Sequence, residues 1–182
     1  MNRGLLLDRD GVVNVDHDYV HTVDRFDWVP GIFDLARAAC DRGYRIAVVT
    51  NQSGIGRGLY SQAQFDALTA WMAAEFARRG APLAAVYCCP WHPEHGAPGT
   101  PLAPRDSFWR KPHPGMILQA ARELDLDLGR SLLVGDKAGD IAAARAAGVG
   151  TTVFFASGRH AHEAPGGADH VAAAHGEILA RL

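Results

Sequence analysis

Two carboxylates follow directly after an apolar run near the start of the chain. Residues 5–7 are leucines, and Asp8 and Asp10 come next, separated by a single residue. Side chains alternate along a strand, so residues two apart project to the same side and both carboxylates can face one substrate. One carboxylate can attack an electrophile while the other transfers a proton or helps to hold a cation. The alternative interpretation is an ordinary Asp-rich turn, and the pair alone does not separate the two.

Three later segments place more polar side chains at the ends of predicted elements. They are Thr50, Asn51, Gln52 and Ser53 after the second predicted strand, Arg110 and Lys111 ahead of a helix, and Asp136, Lys137 and Asp140 after the fourth strand. Carboxylate oxygens suit Mg²⁺, and hydroxyl, amide and ammonium donors can hold the oxygens of a transferring phosphoryl group. Each residue alone is typical of a surface charge or a helix cap. Together they indicate phosphoryl chemistry.

Apolar runs alternate with helical patterns along the chain. The runs at 5–7, 45–50, 83–87, 131–134 and 151–155 predict five strands. The helical patterns are at 32–41 with Gly43 behind it, after a Ser61–Gln64 capping box, after Pro114, at 138–147 closed by Gly148, and at 171–174 and 177–182. This alternation predicts an α/β, Rossmann-like, doubly wound and mainly parallel sheet with helices on both faces and no large cap domain. Without a linker or an internal repeat, residues 1–182 are predicted to form one domain.

Composition excludes several classes of protein. The chain has 182 residues, is 48% hydrophobic and has a formal net charge of −2. No basic stripe predicts a nucleic-acid partner, and no apolar run is long enough for a membrane span. The first strand begins too early for a signal peptide, and three cysteines, two of them adjacent, are a poor disulfide framework. We therefore expect a cytoplasmic protein, and a monomer, since no apolar stripe is left unassigned.

The motifs resemble those of the haloacid dehalogenase (HAD) superfamily in order. The first is Asp8-Arg9-Asp10-Gly11, the second Thr50-Asn51, the third Lys111, and the fourth Gly135-Asp136-Lys137 with Asp140. Longer blocks at 8–21, 50–55, 110–116 and 135–137 are similar to those of heptose 1,7-bisphosphate phosphatases in the histidinol-phosphatase-like subfamily. Asp-x-Asp alone is not specific, but the four blocks together are, and the resemblance extends over most of the chain, from about residue 5 to residue 153.

The resemblance implies a role for each matched residue. Asp8 is expected to be the nucleophile and Asp10 the general acid and base, with Thr50 and Lys111 holding the phosphoryl group. Mg²⁺ is expected on the side chains of Asp8 and Asp136 and on the carbonyl of Asp10. The expected substrate-binding residues are Asp16, His17, Asp18, Tyr19, Asn51, Gln52, Ser53, Arg110 and Lys137. Asp140 either binds the metal through water or braces Lys137, and we favour bracing.

The implied activity is Mg-dependent hydrolysis of a small sugar bisphosphate. The resemblance favours removal of the 7-phosphate of D-glycero-D-manno-heptose 1,7-bisphosphate through an aspartyl-phosphate, in nucleotide-activated heptose and lipopolysaccharide core biosynthesis. Histidinol-phosphate phosphatase is the nearest alternative. A phospho-accepting receiver domain is a distant one, because such a module also uses an Asp nucleophile but does not need the acid/base Asp10.

One segment departs from the family pattern. Many of these phosphatases bind a structural zinc ion ahead of the Arg-Lys-Pro block, through Cys-x-His and then Cys-x-Cys. Here Cys89 is present, but Trp91 stands in place of the histidine, and Ser107 and Trp109 stand in place of the downstream cysteines. One ligand of four cannot form a closed tetrahedral site, so we expect no structural zinc.

Overall fold

A computed structural model describes residues 1–92 and 108–182. The strands are β1 (Arg3–Leu7), β2 (Tyr44–Asn51), β3 (Leu83–Cys89), β4 (Leu132–Gly135), β5 (Thr151–Phe155) and β6 (His170–Ala172). The helices are α1 (Ile32–Asp41), α2 (Ser53–Gly56), α3 (Gln62–Arg78), α4 (Gly115–Glu123) and α5 (Ala138–Ala147). Short 3-10 stretches span Val23–Arg25, Leu128–Arg130, Gly158–His160 and His175–Arg181.

All neighbouring strands of the sheet are parallel, in the order β3-β2-β1-β4-β5-β6. The chain runs outward from β1 to β3, then returns to the other side of β1 and runs outward again from β4. The order therefore reverses between β1 and β4, where Leu7 pairs with Val134. The loops after these two strands separate and leave a crevice, which is where doubly wound sheets bind ligands.

The sheet is buried on both faces because its central strands contain unbroken apolar runs at residues 5–7, 46–49 and 132–134. Leu5 and Leu7 lie in one core cluster with residues of α1 and α3, whereas Leu6 lies in the other with residues of α4 and α5. This follows from the two-residue period of a strand. Unbroken apolar runs are typical of parallel strands covered by helices on both faces, so the predicted fold class is confirmed.

Helix ends lie where the sequence predicts them. The Ser61 side chain accepts a hydrogen bond from the amide of Gln64, and the Gln64 side chain accepts one from the amide of Ser61, which closes a capping box. Gly43 and Gly148 follow α1 and α5 with φ values of 78° and 83°, the left-handed conformation that glycine adopts without strain. These caps fix the lengths of the connections between helices and strands.

The carboxyl-terminal segment corrects two predictions. Residues 171–174 are not helical: His170–Ala172 is the edge strand β6, with Ala172 buried and Val171 exposed. The alanine-rich composition favoured a helix, and a three-residue strand is too short to show a period of two. The stretch predicted as a helix at 177–182 is a 3-10 helix spanning His175–Arg181.

No helix among the described residues is both long enough and apolar enough to cross a membrane.

Candidate active site

A buried ammonium group lies between two carboxylates where the strand order reverses. Lys111 Nζ donates to Asp8 Oδ1 at 2.8 Å and to the Val49 carbonyl at 2.8 Å, and it lies 2.6 Å from Asp140 Oδ1. These acceptors use all three N–H groups of the ammonium. Burial alone would lower the pKa of Lys111, but Asp140 and Asp8 outweigh it and raise that pKa. A fixed positive charge therefore stands beside Asp8. We call Asp8, Lys111 and Asp140 the buried triad.

Asp136 fits a divalent cation. Both of its carboxylate oxygens are buried, and neither has a hydrogen-bond partner among the described residues. Burial, and then the charge of Asp8, raise the pKa of Asp136 to about 9. Asp8, Asp136 and Asp140 each offer a carboxylate oxygen within 4.8 Å of the others. Mg²⁺ prefers hard oxygen ligands that carry negative charge, and these three buried carboxylates supply them. The residues therefore fit the ion.

Gly11 lets the loop after Asp10 pass close to this carboxylate. Its φ is +94°, and a Cβ atom built on it would lie 2.0 Å from Asp136 Oδ2. Both the backbone conformation and the space require glycine. The loop can therefore turn away from β1 directly behind Asp10 without displacing Asp136.

The end of β2 holds the backbone that bears Lys111. Asn51 Nδ2 donates to the Lys111 carbonyl at 3.0 Å, and the Lys111 amide donates to Asn51 Oδ1 at 3.1 Å. Thr50, buried one residue earlier, accepts a hydrogen bond on Oγ1 from Gln52 Nε2 at 2.8 Å. Two of the predicted substrate-binding side chains, Asn51 and Gln52, therefore bond to other residues of the site.

Asp140 lies at the first turn of α5 and connects two parts of the site. Its Oδ2 accepts from the backbone amide of Lys137 at 3.0 Å, while its Oδ1 pairs with Lys111. The predicted brace on Lys137 is therefore made to that residue's backbone, and the ion pair is made to Lys111. Gly135 permits this approach, because a Cβ there would lie 2.2 Å from Asp140 Cβ.

Residues 16–19, which we call the rim turn, form one wall of the site. Asp16 Oδ2 lies 3.5 Å from Lys137 Nζ and 3.4 Å from His160 Nε2. Burial of Asp16 would raise its pKa, but Lys137, a backbone hydrogen bond and His160 together lower it. The 3-10 stretch after β5 thus reaches the rim turn, which the sequence did not predict.

Two arginines lie against the outer part of the rim turn. Asp18 forms an ion pair with Arg159, and Arg57 donates a hydrogen bond to the Tyr19 hydroxyl. Asp18 and Tyr19 have φ values of 56° and 52°, so two consecutive non-glycine residues adopt the left-handed conformation. These contacts hold a turn whose backbone is unfavourable by itself.

The predicted side chains converge on one cavity of about 300 Å³. Its lining residues are Asp8, Asp10, Asp16, Asp18, Tyr19, Thr50, Asn51, Gln52, Ser53, Tyr60, Arg110, Lys111, Lys137 and Asp140. Two predicted site residues, Asp136 and His17, are not among them. Asp136 is buried within the same group of carboxylates as Asp8, whereas His17 Nε2 lies 2.8 Å from Asp27 Oδ2, which places His17 beside the site.

The described ends of the segment predicted to lack zinc include Trp91, which contacts the cavity-lining residue Arg110. Arg110 Nη1 donates to the Trp91 carbonyl at 3.0 Å, and burial lowers the pKa of Arg110. Trp91 and Trp109 pack against the core cluster on the α4 face. Ser107 lies outside the described residues. The absence of zinc stays a prediction.

Sequence reasoning missed four residues that contact the site. Arg9, Asn14, Tyr60 and His160 were assigned no role, yet Arg9 and Asn14 hydrogen-bond to Asp10, Tyr60 to Gln52, and His160 lies against Asp16. Arg9 and Asn14 lie within the blocks that resemble the family, and that position was the available signal. His160 had none, because its contact depends on the path of the loop after β5.

Comparisons with known proteins agree with this geometry. A HAD-hydrolase-like family model matches residues 108–177. The D-glycero-alpha-D-manno-heptose-1,7-bisphosphate 7-phosphatase of Burkholderia mallei is 55% identical over 154 residues, which are 85% of this chain and 80% of that protein. The chain belongs to the heptose-bisphosphate 7-phosphatase family. A second member, the D-glycero-beta-D-manno-heptose-1,7-bisphosphate 7-phosphatase of Yersinia pestis, is 45% identical over 85% of this chain and 81% of that protein.

A solved structure of this phosphatase family has the same architecture. The D,D-heptose 1,7-bisphosphate phosphatase from B. bronchiseptica, complexed with magnesium and phosphate, superposes with a TM-score of 0.83 at 30% identity. The match covers 98% of this chain and 97% of that one. The protein is therefore a HAD-type phosphatase with the predicted sheet.

Proposed function

We propose that this phosphatase removes the 7-phosphate of D-glycero-D-manno-heptose 1,7-bisphosphate with the help of Mg²⁺. The observation on which this depends is the buried triad, in which Lys111 holds a positive charge 2.8 Å from a carboxylate oxygen of Asp8 at the crevice of the sheet. That arrangement suits a nucleophile that must approach an anionic phosphate.

Asp8 and Asp136 would hold the ion through their side chains, and Asp10 through its carbonyl. Bound there, Mg²⁺ cancels repulsion between the phosphate and the attacking carboxylate. The support within this chain is Asp136, whose two buried oxygens have no hydrogen-bond partner among the described residues. The relative from B. bronchiseptica was crystallised with magnesium and phosphate.

Two displacements complete the reaction. An Asp8 oxygen attacks phosphorus, the bond from phosphorus to the sugar oxygen breaks, and the leaving oxygen keeps that electron pair and takes a proton from Asp10. Water then attacks the aspartyl-phosphate and gives a proton to Asp10. The bond from phosphorus to Asp8 breaks, inorganic phosphate leaves, and both aspartates return to their starting states. Thr50 holds a phosphoryl oxygen during both steps, and Lys111 does so by exchanging its hydrogen bond to Asp8 for one to the phosphoryl group.

The shape of the site supports a sugar bisphosphate as substrate. Among the described residues, only loops and short helical turns lie above the sheet edge, and Arg110 and Lys137 line the cavity together with residues of the rim turn. Two cations beyond the reacting centre can hold a second phosphate. The relative at 55% identity has the alpha anomer in its name and the one at 45% has the beta anomer, so we expect the alpha anomer to be preferred.

Two further proposals concern the whole chain. We expect residues 1–182 to act as one domain and as a monomer, since the sheet draws strands from both ends of the sequence. The chain has three cysteines, two of them adjacent, which is a poor disulfide framework and fits the reducing cytoplasm that we propose as the compartment.

A panel of phosphate-release rates tests the substrate. With Mg²⁺ present, we expect kcat/KM to be highest for the alpha heptose bisphosphate, lower for the beta anomer, and at least about tenfold lower for histidinol phosphate and fructose 1,6-bisphosphate. A higher value for histidinol phosphate would replace the substrate assignment with the histidinol-phosphatase alternative. Stoichiometric labelling of the protein without turnover would instead favour the receiver-like alternative.

A further inference from the structure

The carboxylate of Asp10 receives hydrogen bonds from three side chains. Arg9 Nη2 lies 3.0 Å from Oδ1 and 3.0 Å from Oδ2, Asn14 Nδ2 donates to Oδ1 at 3.0 Å, and Gln52 Nε2 donates to Oδ2 at 2.9 Å. Because Arg9 Nη2 also donates to the Val20 carbonyl at 2.7 Å, its second N–H is shared between the two oxygens, and three N–H groups in all hold the carboxylate. A carboxylate with this many partners has little freedom to rotate.

The three donors are more deeply buried than the group they hold. Arg9, Asn14 and Gln52 have relative exposures of 1%, 0% and 3%, whereas the side chain of Asp10 is 17% exposed at the cavity. Burying a guanidinium costs free energy, and Arg9 Nε and Nη1 have no hydrogen-bond partner among the described residues. Stability alone does not account for such a charge, and an arrangement of this kind is typical of functional sites.

Further hydrogen bonds fix the orientation of the side-chain amides of Asn14 and Gln52. Asn14 Nδ2 also donates to the Val15 carbonyl at 2.9 Å, so both of its hydrogens are used. The Tyr60 hydroxyl donates to Gln52 Oε1, which fixes Gln52 Nε2 towards Asp10 and Thr50. Burial raises the pKa of Tyr60, so the phenol remains a donor. The amide groups therefore present N–H and not C=O to Asp10.

We propose that Arg9, Asn14 and Gln52 are positioning residues that aim Asp10 at the leaving oxygen and at the attacking water. They act through Asp10 and do not touch the substrate. Gln52 also bonds to Thr50, so one side chain sets the distance between the acid/base group and a holder of the phosphoryl group. This inference rests on the proposed phosphatase function. Proton transfer depends steeply on alignment, so loss of one donor slows the chemistry while the protein stays folded.

The test compares two leaving groups. p-Nitrophenolate leaves without a proton, whereas the alkoxide of glycerol 2-phosphate needs one from Asp10. In Asn14→Ala and Gln52→Met, kcat for glycerol 2-phosphate should fall roughly tenfold to a hundredfold, with KM changed less than about twofold. With p-nitrophenyl phosphate, both variants should release about one nitrophenolate per active site in a rapid burst and then turn over slowly, because water activation still depends on Asp10.

Matched variants separate positioning from general damage. Asn2→Ala removes an amide that bonds to the Leu124 carbonyl at the amino-terminal end of β1, and it should leave both substrates unaffected. Asp10→Asn should show the same burst, and adding Asn14→Ala to it should cause no further loss, since the Asn14 side chain donates only to Asp10 and to the Val15 carbonyl. Equal losses on both substrates without a burst, or additive losses in the double variant, would overturn the inference. An inactive wild-type protein would instead overturn the proposed function.

Discussion

The buried triad and the rim turn differ in how their charged groups are held. Lys111 is buried with three acceptors around one ammonium, and the segment bearing it is fixed by Asn51. In the rim turn, Asp18 and its partner Arg159 are both exposed, and their contact is a single ion pair from a loop. Buried hydrogen bonds and ion pairs therefore hold the triad, whereas the outer part of the rim turn is held by exposed contacts between loops. We propose that the first region carries out the chemistry and that the second contributes to substrate choice.

The largest expected effect comes from the nucleophile. Asp8→Asn should lower the rate of phosphate release by at least about 10⁴-fold, because an amide cannot form the aspartyl-phosphate. The circular dichroism spectrum should be unchanged, since Asn has nearly the same shape as Asp. Asp34→Asn on the exposed face of α1 is the control and should retain full activity. Normal turnover by Asp8→Asn would assign the nucleophile to another residue.

Removing the ammonium should destabilise the fold. Lys111→Met leaves two buried carboxylates without their cation, and the free energy of unfolding should fall by about 3–5 kcal/mol in urea titrations. Arg37→Met removes an exposed partner of Asp34 and should change stability by less than about 0.5 kcal/mol. Similar values for the two variants would show that the buried triad is no better determined than a surface pair.

Removal of the metal and changes of pH should alter the stability of the protein through Asp136, which lies next to the buried triad. Burial and Asp8 raise its pKa to about 9 from the ordinary value of 3.8. Between these two values, the folded metal-free protein binds a proton that the unfolded chain releases. The contribution of Asp136 to stability should therefore be greatest below pH 4 and should decline up to pH 9. In EDTA, the free energy of unfolding should fall by roughly 2 kcal/mol between pH 5.5 and pH 8. Adding Mg²⁺, or introducing Asp136→Asn, should make this decrease smaller. An unchanged pH dependence in Asp136→Asn would contradict this.

Substitution of Arg110 tests whether this side chain binds a second phosphate group of the substrate. Arg110→Ala should raise KM for the heptose bisphosphate about tenfold and change KM for a heptose 7-phosphate less than about twofold, because only the bisphosphate has a second anionic group. Arg122→Ala on α4, outside the cavity lining, is a suitable control. Equal changes with both substrates would remove the proposed contact.

The smallest effect is expected for the exposed pair of the rim turn. Arg159→Ala should leave the free energy of unfolding unchanged within the error of a urea titration, since solvent screens the pair. Any effect on KM should be confined to a few-fold, measured with the heptose bisphosphate. A loss of stability comparable to that of Lys111→Met would show that the rim turn is as strongly determined as the buried triad.

Sequence reasoning predicted the central part of the molecule better than its edges. The strands beneath Asp8, Thr50 and Asp136 follow from unbroken apolar runs, and α5 was predicted with its observed bounds because Gly148 ends it. Neither the short edge strand β6 nor the 3-10 conformation of residues 175–181 has a pattern of its own. The three donors around Asp10 were out of reach because the direction of a side chain beyond a strand end depends on the loop, and Gly11 turns that loop.

The contacts around Asn51 tie down both ends of the long insertion between β3 and α4. The Gln52 amide donates to the Cys89 carbonyl at 2.7 Å on one side, and Asn51 and Lys111 exchange two hydrogen bonds on the other. The chain on both sides of residues 93–107 is thus hydrogen-bonded to the end of β2 or to the residue directly after it. We therefore expect that this insertion can change in sequence or in length while the lysine of the triad keeps its place.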